Sequence, residues 1–151
     1  MTEVSRDVEE LAREVVDAAF HLHRRIGPGL LESVYELVLH QELQRRGLIV
    51  DRQRPIDIEI DGLLVVDAFR ADLIIEDRLL IELKSCEKIA PVHSKQVLTY
   101  IRLMNLPLGI LINFGAEVFR EGVRRVINNR PLSAFAPLRA TNSISERGGG
   151  R

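Results

Sequence analysis

Apolar residues recur at helical spacing near the start of the chain. The positions that repeat every three or four residues after Ser5 are Val8, Leu11, Val15, Ala18, Leu22 and Ile26. Acids and arginines lie between them, so the pattern predicts an amphipathic helix that ends at the Gly-Pro-Gly of residues 27–29. Packing into the protein's own core is favoured over a coiled-coil dimer seam, because only about three heptads are present.

A second helix is predicted from Leu30 to Arg46, with Gly47 as a left-handed stop. Its apolar side is expected to consist of Leu31, Val34, Tyr35, Val38 and Leu39. The same choice between core packing and a dimer seam applies to this helix, and core packing is again favoured.

The pattern then changes to the alternation of β-strands. Asp61-Gly62 is a hairpin-turn signal between two runs, and a polar turn at Asp77 and Arg78 separates two more. The predicted strands are residues 55–60, 63–69, 71–76 and 79–84.

Helical spacing returns from Pro91 to Met104, and an almost wholly apolar strand follows at 107–114. Residues 122–128 predict one further strand, with a helix over 116–127 as the alternative. The order is therefore two helices, three or four strands, a helix and one or two strands. It predicts an α/β fold in which a mixed β-sheet is flanked by helices, with the core order α-α-β-β-β-α-β.

Composition limits this fold to one domain. A chain of 151 residues with 46% hydrophobic residues can bury one substantial core, which we assign to residues 1–128. Residues 129–151 mix Pro, Ser, Asn and Gly, and they are predicted to form a loosely ordered tail. The formal net charge of −1 provides no global electrostatic argument for binding nucleic acid.

The single cysteine excludes an intrachain disulfide and is typical of a reducing compartment. The first residues do not resemble a signal peptide, and the longest apolar stretch is too short to cross a bilayer. We therefore expect a cytoplasmic protein without a membrane partner.

Two acids and a lysine stand in or beside the most apolar strands. Glu82 and Lys84 are two positions apart and so project from one strand face, while Asp72 lies near the same end of the neighbouring strand. Two carboxylates converging in an apolar sheet repel each other unless a counter-charge is present, and oxygen ligands suit Mg²⁺ or Mn²⁺. The alternative is a plain salt bridge between Lys84 and one of the acids.

Four short motifs in order complete a recognisable pattern. They are Gly29-x-x-Glu32-x-x-Tyr35, Asp72, Glu82-x-Lys84 and Gln96-x-x-x-Tyr100. Over residues 4–128 the chain resembles the GxxExxY family of the PD-(D/E)XK nuclease superfamily, and its third-helix motif is similar to the Q-x-x-x-Y motif of RecB-like nucleases. Ala71 stands where the signature has proline, which departs from the pattern in backbone shape rather than in chemistry.

The resemblance implies a restriction-endonuclease-like core and a role for each matching residue. Asp72 and Glu82 look like metal ligands, with the carbonyl of Leu83 as a third, and Lys84 looks like the catalytic lysine. Glu32 looks like an acid that the first core helix contributes to the metal shell. Gln96 and Tyr100 look like residues that orient the site and the nucleic-acid backbone.

The resulting hypothesis is a Mg²⁺- or Mn²⁺-dependent nuclease, with DNA favoured over RNA as the substrate. Lys88, Lys95 and Tyr35 are the candidates for nucleic-acid contacts. The main alternative is a non-catalytic nucleic-acid-binding or adaptor module on the same fold. A homodimer formed through the first helix, with the acids and the lysine merely paired, is the other alternative.

Overall fold

The computed structural model describes residues 7–129 and 138–142. Its elements follow the predicted order and end with one strand more than was predicted. They are α1 (Val8–Ile26), α2 (Glu32–Arg45), β1 (Val50–Ile60), β2 (Leu63–Ile75), β3 (Leu79–Lys84), α3 (Pro91–Met104), β4 (Leu108–Asn113), a 3-10 turn (Phe119–Gly122), β5 (Val123–Ile127) and β6 (Leu138–Asn142).

These strands form one mixed sheet in the order β5-β4-β3-β2-β1-β6. Only β3 and β4 pair in parallel, and α3 makes the crossover between them. The mixed α/β sheet flanked by helices is therefore confirmed. β5 occupies the region for which a helix was the alternative, so that alternative is wrong.

Helix α1 begins where the side chain of Asp7 accepts a hydrogen bond from the backbone N–H of Glu9. Leu11, Val15 and Leu22 are fully buried beneath the sheet. The apolar stripe of α1 therefore packs into the protein's own core and does not form a dimer seam.

Helix α2 buries only part of the predicted face. Tyr35 and Leu39 are buried as expected, but Leu31 is 74% exposed and Val34 also faces solvent. Glu36 is buried in their place, with 5% of its surface exposed. Apolar residues lie nearly all round this helix, so the sequence alone did not indicate which side faces the sheet.

The hairpin of β1 and β2 is longer and more continuous than predicted. β1 begins at Val50 rather than Pro55, and the two predicted strands at 63–69 and 71–76 form the single strand β2. The register shifts between Ile56 and Ile58, and Asp67 has a positive φ of 52°. These irregularities let the hairpin bend and continue beyond its contact with β3.

Two apolar clusters cover the two faces of the sheet. α1 and α2 pack on one face, where β3 contributes Leu79, Ile81 and Leu83. α3 packs on the other, where β3 contributes Leu80. The period of two along the strand therefore directs Glu82 and Lys84 to the α3 side.

The chain's last described strand was not predicted. β6 pairs antiparallel with β1, from Ile56 opposite Asn142 to Ile60 opposite Leu138. It falls within residues 129–151, for which a loose tail was predicted, so that prediction is wrong for residues 138–142. The rest of the predicted tail after Asn129 lies outside the described residues.

Candidate functional site

Asp72 and Glu82 meet where the two central strands separate. The β2–β3 ladder ends with Leu73 opposite Ile81, and the two acids come next on each strand. The backbone N–H of Asp72 donates to Glu82 Oε1 at 3.3 Å, and the N–H of Leu83 donates to Asp72 Oδ2 at 2.9 Å. The opening between the strands therefore holds both carboxylates together.

The carbonyl of Leu83 points into the same opening. Along a strand, the N–H and C=O of one residue point to the same side, and this side alternates from residue to residue. The carbonyl of Lys84 faces β4, where it accepts a hydrogen bond from Phe114 at 2.8 Å. The Leu83 carbonyl consequently faces β2, beyond the last ladder pair, as its N–H does.

The pKa of Glu82 is raised by its surroundings in this pair of acids. Glu82 is only 5% exposed. Burial raises its pKa, and the neighbouring Asp72 raises it further, to about 9, although Lys84 opposes the shift. Near neutral pH Glu82 thus holds a proton that a cation could replace.

The donor set fits a hard divalent cation in kind. Two carboxylates and a carbonyl are the oxygen ligands that Mg²⁺ takes, with water completing its shell. Within residues 7–129, no group of three or more His, Cys, Asp or Glu side chains is placed to hold a metal ion. A cation here would therefore depend on the Leu83 carbonyl and on water beside Asp72 and Glu82.

Lys84 projects beside Glu82 without being bound to it. No carboxylate of the described residues forms an ion pair with the Lys84 ammonium. The simple salt bridge that was the alternative is therefore not found. The charge of Lys84 acts at longer range, where it counters the rise in pKa of both Glu32 and Glu82.

Glu32 approaches this group from the head of α2. The hydroxyl of Ser85, the residue after β3, donates to the carbonyl of Leu30 at 2.6 Å and so ties the two loops together. Desolvation raises the pKa of Glu32, Lys84 opposes this, and Asp72 raises the pKa further. Glu32 thus lies within the electrostatic reach of the site.

Tyr35 has a structural position, which corrects its predicted contact with nucleic acid. Its side chain has no exposed surface and stacks on Phe114, with 4.4 Å between ring centroids. Its hydroxyl donates to Gly27 O at 2.6 Å and accepts from the N–H of Leu30 at 3.2 Å. Tyr35 therefore closes the loop before α2 from inside the core.

The two residues of the α3 motif are placed differently. Tyr100 stacks on Phe69 with 3.8 Å between ring centroids. Desolvation raises the pKa of Tyr100, and the charges of Glu82 and Asp72 add to this, so its ring lies near the acids. Gln96, one turn earlier, is exposed, and no hydrogen bond within the described residues brings it to them.

The candidate lysines and several arginines lie on the surface. Lys88 and Lys95 are exposed, on the loop after β3 and on α3. Arg46 instead pairs with Glu14, Asp17 and Glu42 between α1 and α2. Arg125 pairs with Glu9. These two arginines therefore serve the fold, whereas no ion pair within the described residues involves Lys88 or Lys95.

Sequence reasoning missed three residues next to the site. Gln53 donates to Asp72, and Glu36 accepts from Gln53. Asn113 is 1% exposed, and its side chain bonds the backbone of Cys86, two residues after Lys84. The four-residue spacing of Glu32 and Glu36 on α2 was the only signal that could have indicated Glu36.

Comparison with known families agrees with this geometry. A family model described as the PD-(D/E)XK nuclease superfamily matches residues 9–126. The chain belongs to this superfamily. Its mixed sheet flanked by helices is consistent with the restriction-endonuclease-like fold of PD-(D/E)XK proteins. Neither the curated proteins nor the solved structures include a significant match.

Membership of the PD-(D/E)XK superfamily suggests a metal-dependent nuclease. Proteins of this superfamily are generally nucleases, typically use divalent ions such as Mg²⁺, and act on nucleic acid. Among the described helices, none has the length and apolar character needed to cross a bilayer.

Proposed function

We propose that this protein is a Mg²⁺- or Mn²⁺-dependent nuclease of the GxxExxY type, with DNA as the favoured substrate. Asp72 and Glu82 are its metal ligands, and the Leu83 carbonyl is the third. The observation that carries this proposal is the meeting of two carboxylates at the opening of β2 and β3, with the pKa of Glu82 raised to about 9. Such a pair is stabilised by a cation.

When bound, the cation would lower the pKa of an attacking water and neutralise phosphate charge. The chain's own groups supply the rest. Lys84 carries a positive charge that no described carboxylate neutralises by an ion pair, so it can stabilise negative charge developing on a phosphate. Glu32, on α2, interacts electrostatically with Lys84 and can orient water at the edge of the site.

Contacts to nucleic acid are proposed for the sheet face that α3 covers, beside the opening between β2 and β3. Tyr100 lies beside the acids, and Gln96 is one turn away on the same helix face. Lys88 and Lys95 are exposed cations that can contact backbone phosphates without reading sequence.

The test is cleavage of labelled single-stranded DNA, duplex DNA and RNA with Mg²⁺ or Mn²⁺. Asp72→Asn should abolish both cleavage and the rise in melting temperature on adding metal. Lys84→Ala should reduce cleavage about 100-fold or more while preserving that rise. Asp61→Asn, at the exposed hairpin turn, is the matched control and should behave as wild type.

A wild-type protein that cleaves no substrate and shows no metal-dependent stabilisation would refute the proposal. If that protein still bound nucleic acid, the non-catalytic binding module would replace it.

A further inference from the structure

Gln53 lies opposite Asp72 across the β1–β2 hairpin. The flanking pairs are Arg52 with Leu73 and Arg54 with Ala71, so the register places Gln53 beside Asp72. Gln53 also has a φ of 54°, a left-handed conformation that a residue other than glycine rarely adopts within a strand. Such strain persists only where surrounding contacts hold it, and it concentrates at functional sites.

The side-chain amide of Gln53 connects two acids. Its Nε2 donates to Asp72 Oδ1 at 3.1 Å and to Glu36 Oε1 at 2.5 Å. Ionised carboxylates only accept hydrogen bonds, so the nitrogen of the amide must face them, and each of its two hydrogens serves one acid. Gln53 thereby joins α2 to β2 at the edge of the site.

Both oxygens of Asp72 are held by donors. Gln53 binds Oδ1, and the N–H of Leu83 binds Oδ2 at 2.9 Å, which together set the plane of the carboxylate. Glu36 is in turn held from its other oxygen, where Arg52 approaches Oε2 at 3.4 Å. A chain of contacts therefore runs from Arg52 through Glu36 and Gln53 to Asp72.

We propose that Gln53 is a positioning residue that orients Asp72 for metal binding, and that Glu36 anchors Gln53. This inference rests on the proposed function, because only there is Asp72 a metal ligand. Removing the hydrogen-bond partner of a ligating group typically weakens metal affinity about 10–100-fold. A merely structural link between α2 and the hairpin would instead change stability and leave metal affinity unaltered.

Gln53→Gly separates these two roles. Glycine adopts the left-handed backbone without strain, so the variant removes the amide while preserving the fold. The matched control is Asp61→Gly, since Asp61 has a φ of 51° at the exposed hairpin turn. Both variants and wild type would be titrated with Mn²⁺ by calorimetry, and their metal-free melting temperatures measured.

We expect Gln53→Gly to raise the Mn²⁺ dissociation constant about 10–100-fold. Its metal-free melting temperature measures separately what the two lost hydrogen bonds contribute to the fold. Asp61→Gly should leave the constant unchanged. Gln53→Met, which keeps side-chain length but has no donor, should weaken binding like Gln53→Gly even if the glycine variant is unstable. Glu36→Ala should weaken binding, and Glu36→Gln, which can still accept from Gln53, should largely restore it.

Two results would overturn the inference in different ways. Wild-type Mn²⁺ affinity in Gln53→Gly and Gln53→Met, with wild type binding normally, would refute the positioning role and leave the proposed nuclease intact. A wild-type protein that binds no Mn²⁺ would refute both together.

Discussion

Single residues show how the apolar strands tolerate charge. Asp72 is held by hydrogen bonds from Gln53 and from the backbone of Leu83. Glu82 lies buried beside it, and no ion pair in the part of the chain that the structure describes involves its carboxylate. Burying an ionised carboxylate is costly unless a partner compensates, so Glu82 favours its protonated form when no cation is bound.

A pH dependence follows from Glu82. Burial first, and then Asp72, raise its pKa from 4.5 to about 9. Between these values the folded protein keeps a proton that the unfolded chain releases, so metal-free stability should fall as pH rises through this window, by at most about 1.4 kcal/mol per pH unit. Urea unfolding in a chelator at about pH 5, 7 and 9 would measure the slope.

Glu82→Gln is the control for this slope, because glutamine stands for the protonated acid. Its metal-free stability should vary less with pH than that of wild type. Mg²⁺ should stabilise wild type more at the high end of the range, where the proton it displaces is held less firmly. Equal slopes in wild type and Glu82→Gln would contradict the assignment.

Residues of the site differ in how far the sequence could predict them. Alternation along β3 placed Glu82 and Lys84 on one face, because their relation is local. Gln53 reaches Asp72 from 19 positions away, a contact that depends on the register of a hairpin with an irregular middle. The motif suggested that Tyr35 contacts nucleic acid, but Tyr35 is buried in the core, where its hydroxyl bonds the loop before α2.

At the scale of elements, the loop after β3 keeps the end of that strand in place. Asn113 binds the N–H and the C=O of Cys86 at 3.0 and 2.8 Å. Gly115 packs against the same peptide so closely that an added Cβ would lie 2.1 Å from Cys86 O. The loop that follows Lys84 is therefore clamped by backbone contact as well as by hydrogen bonds.

Gly115→Ala should consequently destabilise the protein by about 3 kcal/mol, since a backbone oxygen cannot move aside as a flexible side chain can. Gly62→Ala is the comparison: no atom lies within 4 Å of its added Cβ, so only left-handed strain of about 1 kcal/mol is expected. Chemical denaturation of both variants measures the difference. A loss from Gly115→Ala no larger than that from Gly62→Ala would refute the clamp.

The two N-terminal helices differ in how well the sequence predicts which face is buried. α1 carries a strong apolar stripe, and its buried residues Leu11, Val15 and Leu22 were predicted correctly. α2 has apolar residues on several sides, and its head is drawn toward β3 by the bond between Ser85 and Leu30. Contacts between residues distant in sequence therefore determine which face of α2 is buried, and they place Glu32 near the acids.

For the whole molecule, the sheet is completed by its last described strand. β6 covers the edge of β1 from Ile56 to Ile60, which would otherwise expose unpaired backbone groups. The same part of β1 contributes Ile56 and Ile58 to the apolar cluster on the α3 side, so this pairing also supports the core there.

Removing β6 by truncating the chain tests whether this strand stabilises the fold. A chain ending at Asn129 should melt at least about 5 °C below one ending at Asn142, because the second keeps β6 and serves as the control. The shorter chain should also associate more readily through the exposed strand edge. Equal melting temperatures, measured by calorimetry, would show that β6 contributes nothing to the fold.

Four features could be read from the sequence: the element order, the mixed sheet, the amphipathic face of α1 and the strand face shared by Glu82 and Lys84. Each of these follows from local periodicity, where neighbours along the chain impose the geometry. The structure was needed to show that the Tyr35 hydroxyl bonds the loop before α2, that β6 joins the sheet, and that Gln53 links Glu36 to Asp72. These depend on strand register and on loops packed together, which are set by contacts between residues far apart in the chain.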